Sequence, residues 1–201
     1  MLNNLNNFPN LPRVAQINSY YCAPAVIQML SGVHGINLEQ HQIVTTLGLQ
    51  HKIATHGMTI QEIGYYFKNF IPELQFWFKF NSTIADLSQL VNQHRIPVGV
   101  EWQGIFSYDT PEEAEEDDPG HYSIITHIDT AYNTILLIDP YENDGTDRKL
   151  SILQFERRWW DINEIIDPHT GRRQEVDEFH PLFFVTPKDT VLPDSLNLVR
   201  L

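Results

Sequence analysis

Residues 16–30, QINSYYCAPAVIQML, contain the chain's single cysteine, Cys22, where an irregular polar run gives way to a helical pattern. Val26, Ile27, Met29 and Leu30 recur as one apolar helix face would, and Ser31-Gly32 offers a stop. Cys22 is therefore expected at a helix N-terminus, where unpaired N–H groups and the positive end of the macrodipole favour an anion. Pro24 suits that first turn because it has no N–H to leave unpaired. A thiol reacts as its thiolate and ordinarily ionises near pH ~8.5, so this is the address a nucleophilic cysteine needs. It is equally the address of a small buried hydrophobe, as most free cysteines are. Gln16 lies six residues upstream. An amide folded back beside the cysteine's own N–H supplies two donors for the oxyanion of an acyl transfer; alone, that glutamine reads as a loop residue.

A general base and its orienter must come from downstream. Among nine histidines, His121 opens the apolar run HYSIITHID directly after Pro119-Gly120, where a ring at a sheet edge can face a cleft. His127 lies in the same run, and either is also readable as a hydrogen-bonded sheet histidine. The following run, TILLIDP, ends in Asp139-Pro140, and strand parity separates the two histidines. With Thr130, Ala131 and Tyr132 as the loop, residue 121 pairs with 141 and Asp139 becomes its diagonal neighbour at ~7–8 Å. His127 then pairs with 135, out of reach of 139. An even loop without a bulge would instead turn Asp139 to the opposite face. On the odd-loop register His121 is the base, and Asp139 holds its tautomer and stabilises its charged form. Asp before Pro is also a frequent strand terminator.

Around these motifs the chain reads as helices followed by a mixed, strand-rich part. Residues 38–47 and 59–70 read as helices, the second capped by Thr59, and 74–80 as a half-buried strand. Residues 82–93 return to helix, capped by Ser82 or Thr83. PVGVEW, HYSIITHID and TILLIDP follow as strands, 151–160 as a short helix, and FHPLFFVTP as a last strand. The Asn-rich start and the segment after Pro187 are expected to be loosely attached, leaving an ordered core of about 12–188 within one domain, 1–201. The length of 201 residues, 42% of them hydrophobic and 19% charged, fits one globular domain. One cysteine permits no intrachain disulfide, and no basic start leads into an apolar run, so a reducing cytoplasmic setting is expected. No run approaches the ~18 apolar residues that span a bilayer. A net charge of −13, from 26 acidic and 13 basic residues, argues against a nucleic-acid partner.

With these residues in hand, the chain resembles the papain-like cysteine peptidases of the bacteriocin-processing type, the double-glycine leader peptidases and their stand-alone relatives. Gln16 and Cys22-Ala23-Pro24-Ala25 match the family's Gln and Cys motif, with alanine at 23 where glycine is more usual. HGMTIQEIGYYF is similar to the second helical segment, IPVGVEW to the strand before the histidine, and HYSIITHID and ILLIDPY to the strands of His121 and Asp139. Phe155 and Trp159 of SILQFERRWW correspond to a Phe-x-x-x-Trp segment that packs beneath the site. The resemblance implies an α+β papain-like fold, its N-terminal helical part carrying Cys22 and packing on a C-terminal antiparallel sheet. It implies hydrolysis of peptide or isopeptide bonds by a Cys22-His121-Asp139 triad with Gln16 at the oxyanion, and no cofactor. Transporter-linked members continue into membrane helices and an ATPase; here neither is expected, so leader cleavage coupled to export is not implied.

Seven of the 26 acids fall within residues 109–118, DTPEEAEEDD, outside what the resemblance explains. The run is a solvated loop or, ending beside His121, a rim that selects basic peptides. On the second reading Glu112, Glu113, Glu115 and Glu116, with Trp102, are substrate-binding. His51 with His56 and His169 with His180 lack tight metal-ligand spacing, and residues 141–147 read as a turn rather than a calcium loop, so no metal is implied. Two other functions stay open: acyl transfer or amide hydrolysis on a small molecule, and a catalytically silent module that holds a peptide in its cleft.

Overall fold

Cys22 is the opening residue of the first helix, α1 (Cys22–Gly32), whose face of Val26, Ile27, Met29 and Leu30 is buried. The computed structural model describes residues 8–104, 120–141, 146–166 and 171–201. After α1 come α2 (Gln40–Thr46), α3 (Ile53–His56), α4 (Ile60–Phe70), β1 (Leu74–Lys79) and α5 (Ile84–Ser88), which runs into a π-helical turn, Gln89–Gln93. The strand-rich part holds β2 (Val98–Gln103), β3 (Gly120–Asp129), β4 (Thr134–Asp139), β5 (Thr146–Ser151), α6 (Ile152–Arg158), β6 (Trp160–Ile166), β7 (Arg173–Phe179), β8 (Leu182–Pro187) and β9 (Val199–Arg200).

Local chemistry sets several boundaries. Thr59 and Glu62 form a reciprocal capping box at the start of α4: Thr59 Oγ1 accepts from the Glu62 N–H at 3.3 Å and Glu62 Oε2 accepts from the Thr59 N–H at 2.9 Å. Thr83, rather than Ser82, caps α5 in the same way with Asp86. Ser151 caps α6 by accepting from the Gln154 N–H.

Seven strands form one antiparallel sheet in the order β5-β4-β3-β2-β8-β1-β9, and β6 pairs with β7 in a separate ribbon. Alternation along β2 and β3 divides the core into two layers. One face carries Tyr122, which meets Phe183 at 5.8 Å between ring centroids; Phe183 meets Phe76, and Phe76 stacks on Phe67 of α4. The opposite face carries Trp102 and His121, which pair across the two strands. Behind Trp102 lies Phe155 of α6 at 5.9 Å, followed by Trp159 at 5.1 Å, both fully buried.

Order extends beyond the expected core of 12–188 on both sides, while residues 1–7 of the Asn-rich start lie outside the described residues. Phe8 and Leu11 are buried in the core, and Arg13 grips Asp147 of β5 through two hydrogen bonds from Nη2 and one from Nε. At the other end β9 pairs with β1, Gln75 Nε2 donates to the Leu201 carbonyl, and Leu196 is 1% exposed. Gly64 makes room for this, since a Cβ there would collide with Leu201 and Phe76. The segment after Pro187 is thus an edge strand and its anchor, not a loose tail. Leu196→Ala should therefore lower unfolding free energy by about 2–4 kcal/mol, measured by denaturant titration; a loose tail would show no change.

Candidate active site

Cys22 starts α1 with no side-chain cap on the helix N-terminus and no acidic residue in the first turn. Helix-end donors are left available to an anion at this position. The residue is partly exposed and lines a cavity of about 690 Å³ together with Gln16, Tyr20, His121 and Tyr141.

His121 is the second residue of β3, and its Nε2 is 2.6 Å from Asp139 Oδ1. The Cys22 side chain lines the same cavity as His121 and, by hydrogen bonding and charge, favours the protonated imidazole. How His121 and Asp139 come to share a face differs from the simplest expectation. Asp129 pairs with Thr134, so the loop has four residues, 130–133, an even number. A β-bulge between Ile125 and His127 then shifts the register by one, from Ile128↔Ile135 to Ile125↔Leu137 and Ile124↔Ile138. Carried one step further, that register sets Ser123 opposite Asp139 and His121 diagonal to it. The bulge restores the parity that the loop removes. The even loop, for its part, leaves His127, which pairs with Leu136, on the face opposite Asp139.

Asp139 is fully buried and held at both oxygens. Oδ1 accepts from the Tyr141 N–H at 3.0 Å as well as from His121, and Oδ2 accepts from Arg148 Nη1. Asp139 faces Thr146 across β4 and β5, so Arg148, two residues on, stands on the same face. Sequence alone did not expose this arginine, because TDRKLS lacks the apolar alternation that marks a strand.

Burial is the largest influence on His121 and works downward, but the hydrogen bonds to Asp139 and Cys22 and their charges outweigh it and raise the imidazole to about 9. Burial alone would raise Asp139, yet the hydrogen bond and charge of His121, the Tyr141 N–H and Arg148 bring it down to about 2. The raised histidine stabilises the fold below its ordinary 6.5, an effect lost as pH rises through about 9. The lowered aspartate stabilises above its ordinary 3.8, an effect lost as pH falls through about 2. The stability gap between wild type and Asp139→Asn should thus be widest from about pH 4 to 6.5, on the order of 3 kcal/mol, and narrow on both sides. Thermal unfolding across pH measures it.

Gln16 also borders the cavity. Its backbone N–H donates to Pro140 O at 2.8 Å, tying the glutamine to the residue after Asp139. Its Nε2 donates to Asn18 O at 2.8 Å, and its Oε1 is buried without a partner among the described residues.

Trp102 is not a cleft residue. It is fully buried, its indole N–H donates to Ser123 Oγ at 3.1 Å, and its ring lies 6.5 Å from that of His121. Period-two alternation turns it into the core behind the imidazole, away from the residues that line the cavity. Glu112, Glu113, Glu115 and Glu116 lie outside the described residues. Of the histidines considered for metal, His180 stacks on Trp159 at 4.8 Å.

Comparison with known proteins bears on this geometry. The model of the peptidase C39-like family matches residues 8–165. Among solved structures, the chain is similar to the peptidase domain of Streptococcus ComA, described as a bi-functional ABC transporter involved in a quorum-sensing pathway. The TM-score is 0.57 at 16% identity, over 89% of this chain and 99% of that one. The likeness is one of fold, and it is the papain-like α+β arrangement expected from the sequence. No curated protein sequence matches the chain. Among the described residues no helix is long and apolar enough to cross a membrane.

Proposed function

The chain belongs to the peptidase C39-like family, and from that premise we propose that it is a cysteine peptidase acting through Cys22, His121 and Asp139, with Gln16 at the oxyanion. The observation that carries this reading is one cavity lined by both the cysteine at the tip of α1 and a buried imidazole whose Nε2 lies 2.6 Å from a carboxylate.

In this mechanism His121 takes the thiol proton and Cys22 Sγ attacks the peptide carbonyl carbon. The resulting oxyanion accepts from the Cys22 N–H and from Gln16 Nε2, which has a second hydrogen beside the one given to Asn18. As the tetrahedral species collapses, His121 returns a proton to the departing amine and a thioester remains on Cys22. Water, activated by the same imidazole, releases the acid and restores the thiol. Asp139 keeps Nε2 engaged throughout and stabilises the imidazolium. The substrate class is a peptide or protein chain. Digestion of an unbiased peptide library tests the reading: wild type should cleave a subset of peptides, and Cys22→Ala none. Identical product lists from the two proteins would contradict it.

A further inference from the structure

The same cavity extends past the thiol to a second group of polar side chains. Glu101 of β2 and Asp161 of β6 line it alongside Gly120 and Tyr122, although the two acids are only 1% and 8% exposed. Glu101 pairs with Tyr122 while its neighbour Trp102 pairs with His121, so the acid and the imidazole reach the cavity from opposite faces at the end of the sheet. Gly120 makes this possible, since a Cβ there would collide with Asp161 Oδ2. Glycine at 120 therefore lets a carboxylate stand against the residue that precedes His121.

These acids are unequally satisfied. Asp161 Oδ1 accepts from Gln103 Nε2 at 2.8 Å and from the Ile162 N–H at 2.9 Å. The nearby Glu178 accepts from Gln61 and Asn163. Glu101 Oε2, by contrast, is buried with no hydrogen-bond partner among the described residues. Burial and then the charge of Asp161 raise Glu101 well above the usual carboxyl range, and contacts with Tyr122 and Asn163 offset this only in part. Burial raises Asp161 as well, and hydrogen bonding with Glu101, the Ile162 N–H and Gln103 offsets this only in part. Native interiors seldom leave such an oxygen unspent, and a donor bearing positive charge would satisfy it and relieve the repulsion between the two acids together. Glu175 adds further acid to the cavity wall, while Glu164, also on that wall, is paired with Arg173 Nη1 at 2.9 Å. Among the described residues no three His, Cys, Asp or Glu side chains are grouped to hold a metal ion, which favours an organic cation.

On the peptidase reading above, we propose that Glu101 and Asp161 form a specificity subsite beside Cys22 that receives an ammonium or guanidinium group of the substrate, from a lysine or arginine side chain or from the amino terminus. A neutral group is rejected, because a hydrocarbon of the same shape would leave Glu101 Oε2 unpaired and a hydroxyl would pair it without offsetting the charge of the two acids.

The first test needs no turnover. Binding of n-butylguanidinium, n-butylammonium and n-butanol to the full chain is followed by NMR titration, with Glu101→Gln and Asp161→Asn alongside wild type. Both cations should bind wild type and n-butanol should not, and Glu101→Gln should weaken the cations by roughly thirtyfold. Equal binding of n-butanol to wild type, a comparison that requires no variant to fold, would overturn the subsite. Cation binding unchanged in both variants would overturn it too. The second test compares kcat/KM for peptide pairs carrying arginine, lysine or norleucine, each with a free or acetylated amino terminus. Loss of preference on replacing the side chain assigns the subsite to a basic residue, and loss on acetylation assigns it to the amino terminus; indifference to both contradicts the proposal. Absence of turnover with every peptide would contradict the peptidase reading, while the probe titration would still decide the subsite.

Discussion

Cys22→Ser and His121→Ala should each lower peptide turnover by roughly 10⁴-fold or more, and the double variant should be little worse than either alone. A nucleophile and its base act as one unit, so removing either removes the same step. In this molecule the unit is specific. The thiol is partly exposed at the start of α1, and it shares its cavity with an imidazole 2% exposed. His121→Ala removes the proton acceptor and leaves the buried Asp139 facing a gap, so it should also lower the melting temperature. Cys22→Ser keeps the packing and should melt within a few degrees of wild type. Steady-state kinetics and thermal unfolding of the three variants separate loss of chemistry from loss of fold.

Asp139→Asn should cost roughly 10²–10⁴-fold in kcat, with KM little altered, because the carboxylate touches the imidazole and not the substrate. The alkaline limb of the pH profile should move down as well. His121 is raised to about 9 largely by its bonds to Asp139 and Cys22, and an amide lacks the charge that supplies part of that support. Arg148→Gln should shift the same limb less, since Tyr141 and His121 still hold Oδ1 of the aspartate. A side chain that only braced the fold would change melting temperature and leave the pH profile in place.

The α1 start, Thr59 cap and central strands were legible because periodicity, capping chemistry and apolar runs are local signals, whereas the Phe155-Trp159 layer was legible only through the family resemblance. The register joining His121 to Asp139 was legible only in part. Its parity depends on a bulge near Thr126 that compensates a loop of even length, and nothing in THIDTAYN announces an extra residue. Strands β5 and β7 escaped notice because their faces are largely polar: RQEVDEF buries only Glu178. Arg148 went unseen with β5. The acids Glu101 and Asp161 look like ordinary surface carboxylates in sequence, and only the fold brings them under cover beside Gly120. The closing segment, VLPDSLNLVRL, looked like a tail because its strand, β9, is only two residues long and gains its partners from β1, while Leu201 reaches Gly64 of α4.

The coupling of sulfur to imidazole is open to one direct measurement, the rate at which iodoacetamide alkylates Cys22 at pH 6 in wild type and in His121→Ala. With one cysteine in the chain, each modified molecule reports that residue. The account predicts ready alkylation of the wild type and a rate lower by at least about tenfold in the variant. Equal rates in the two proteins, or a wild-type thiol that stays unmodified until the protein unfolds, would contradict it.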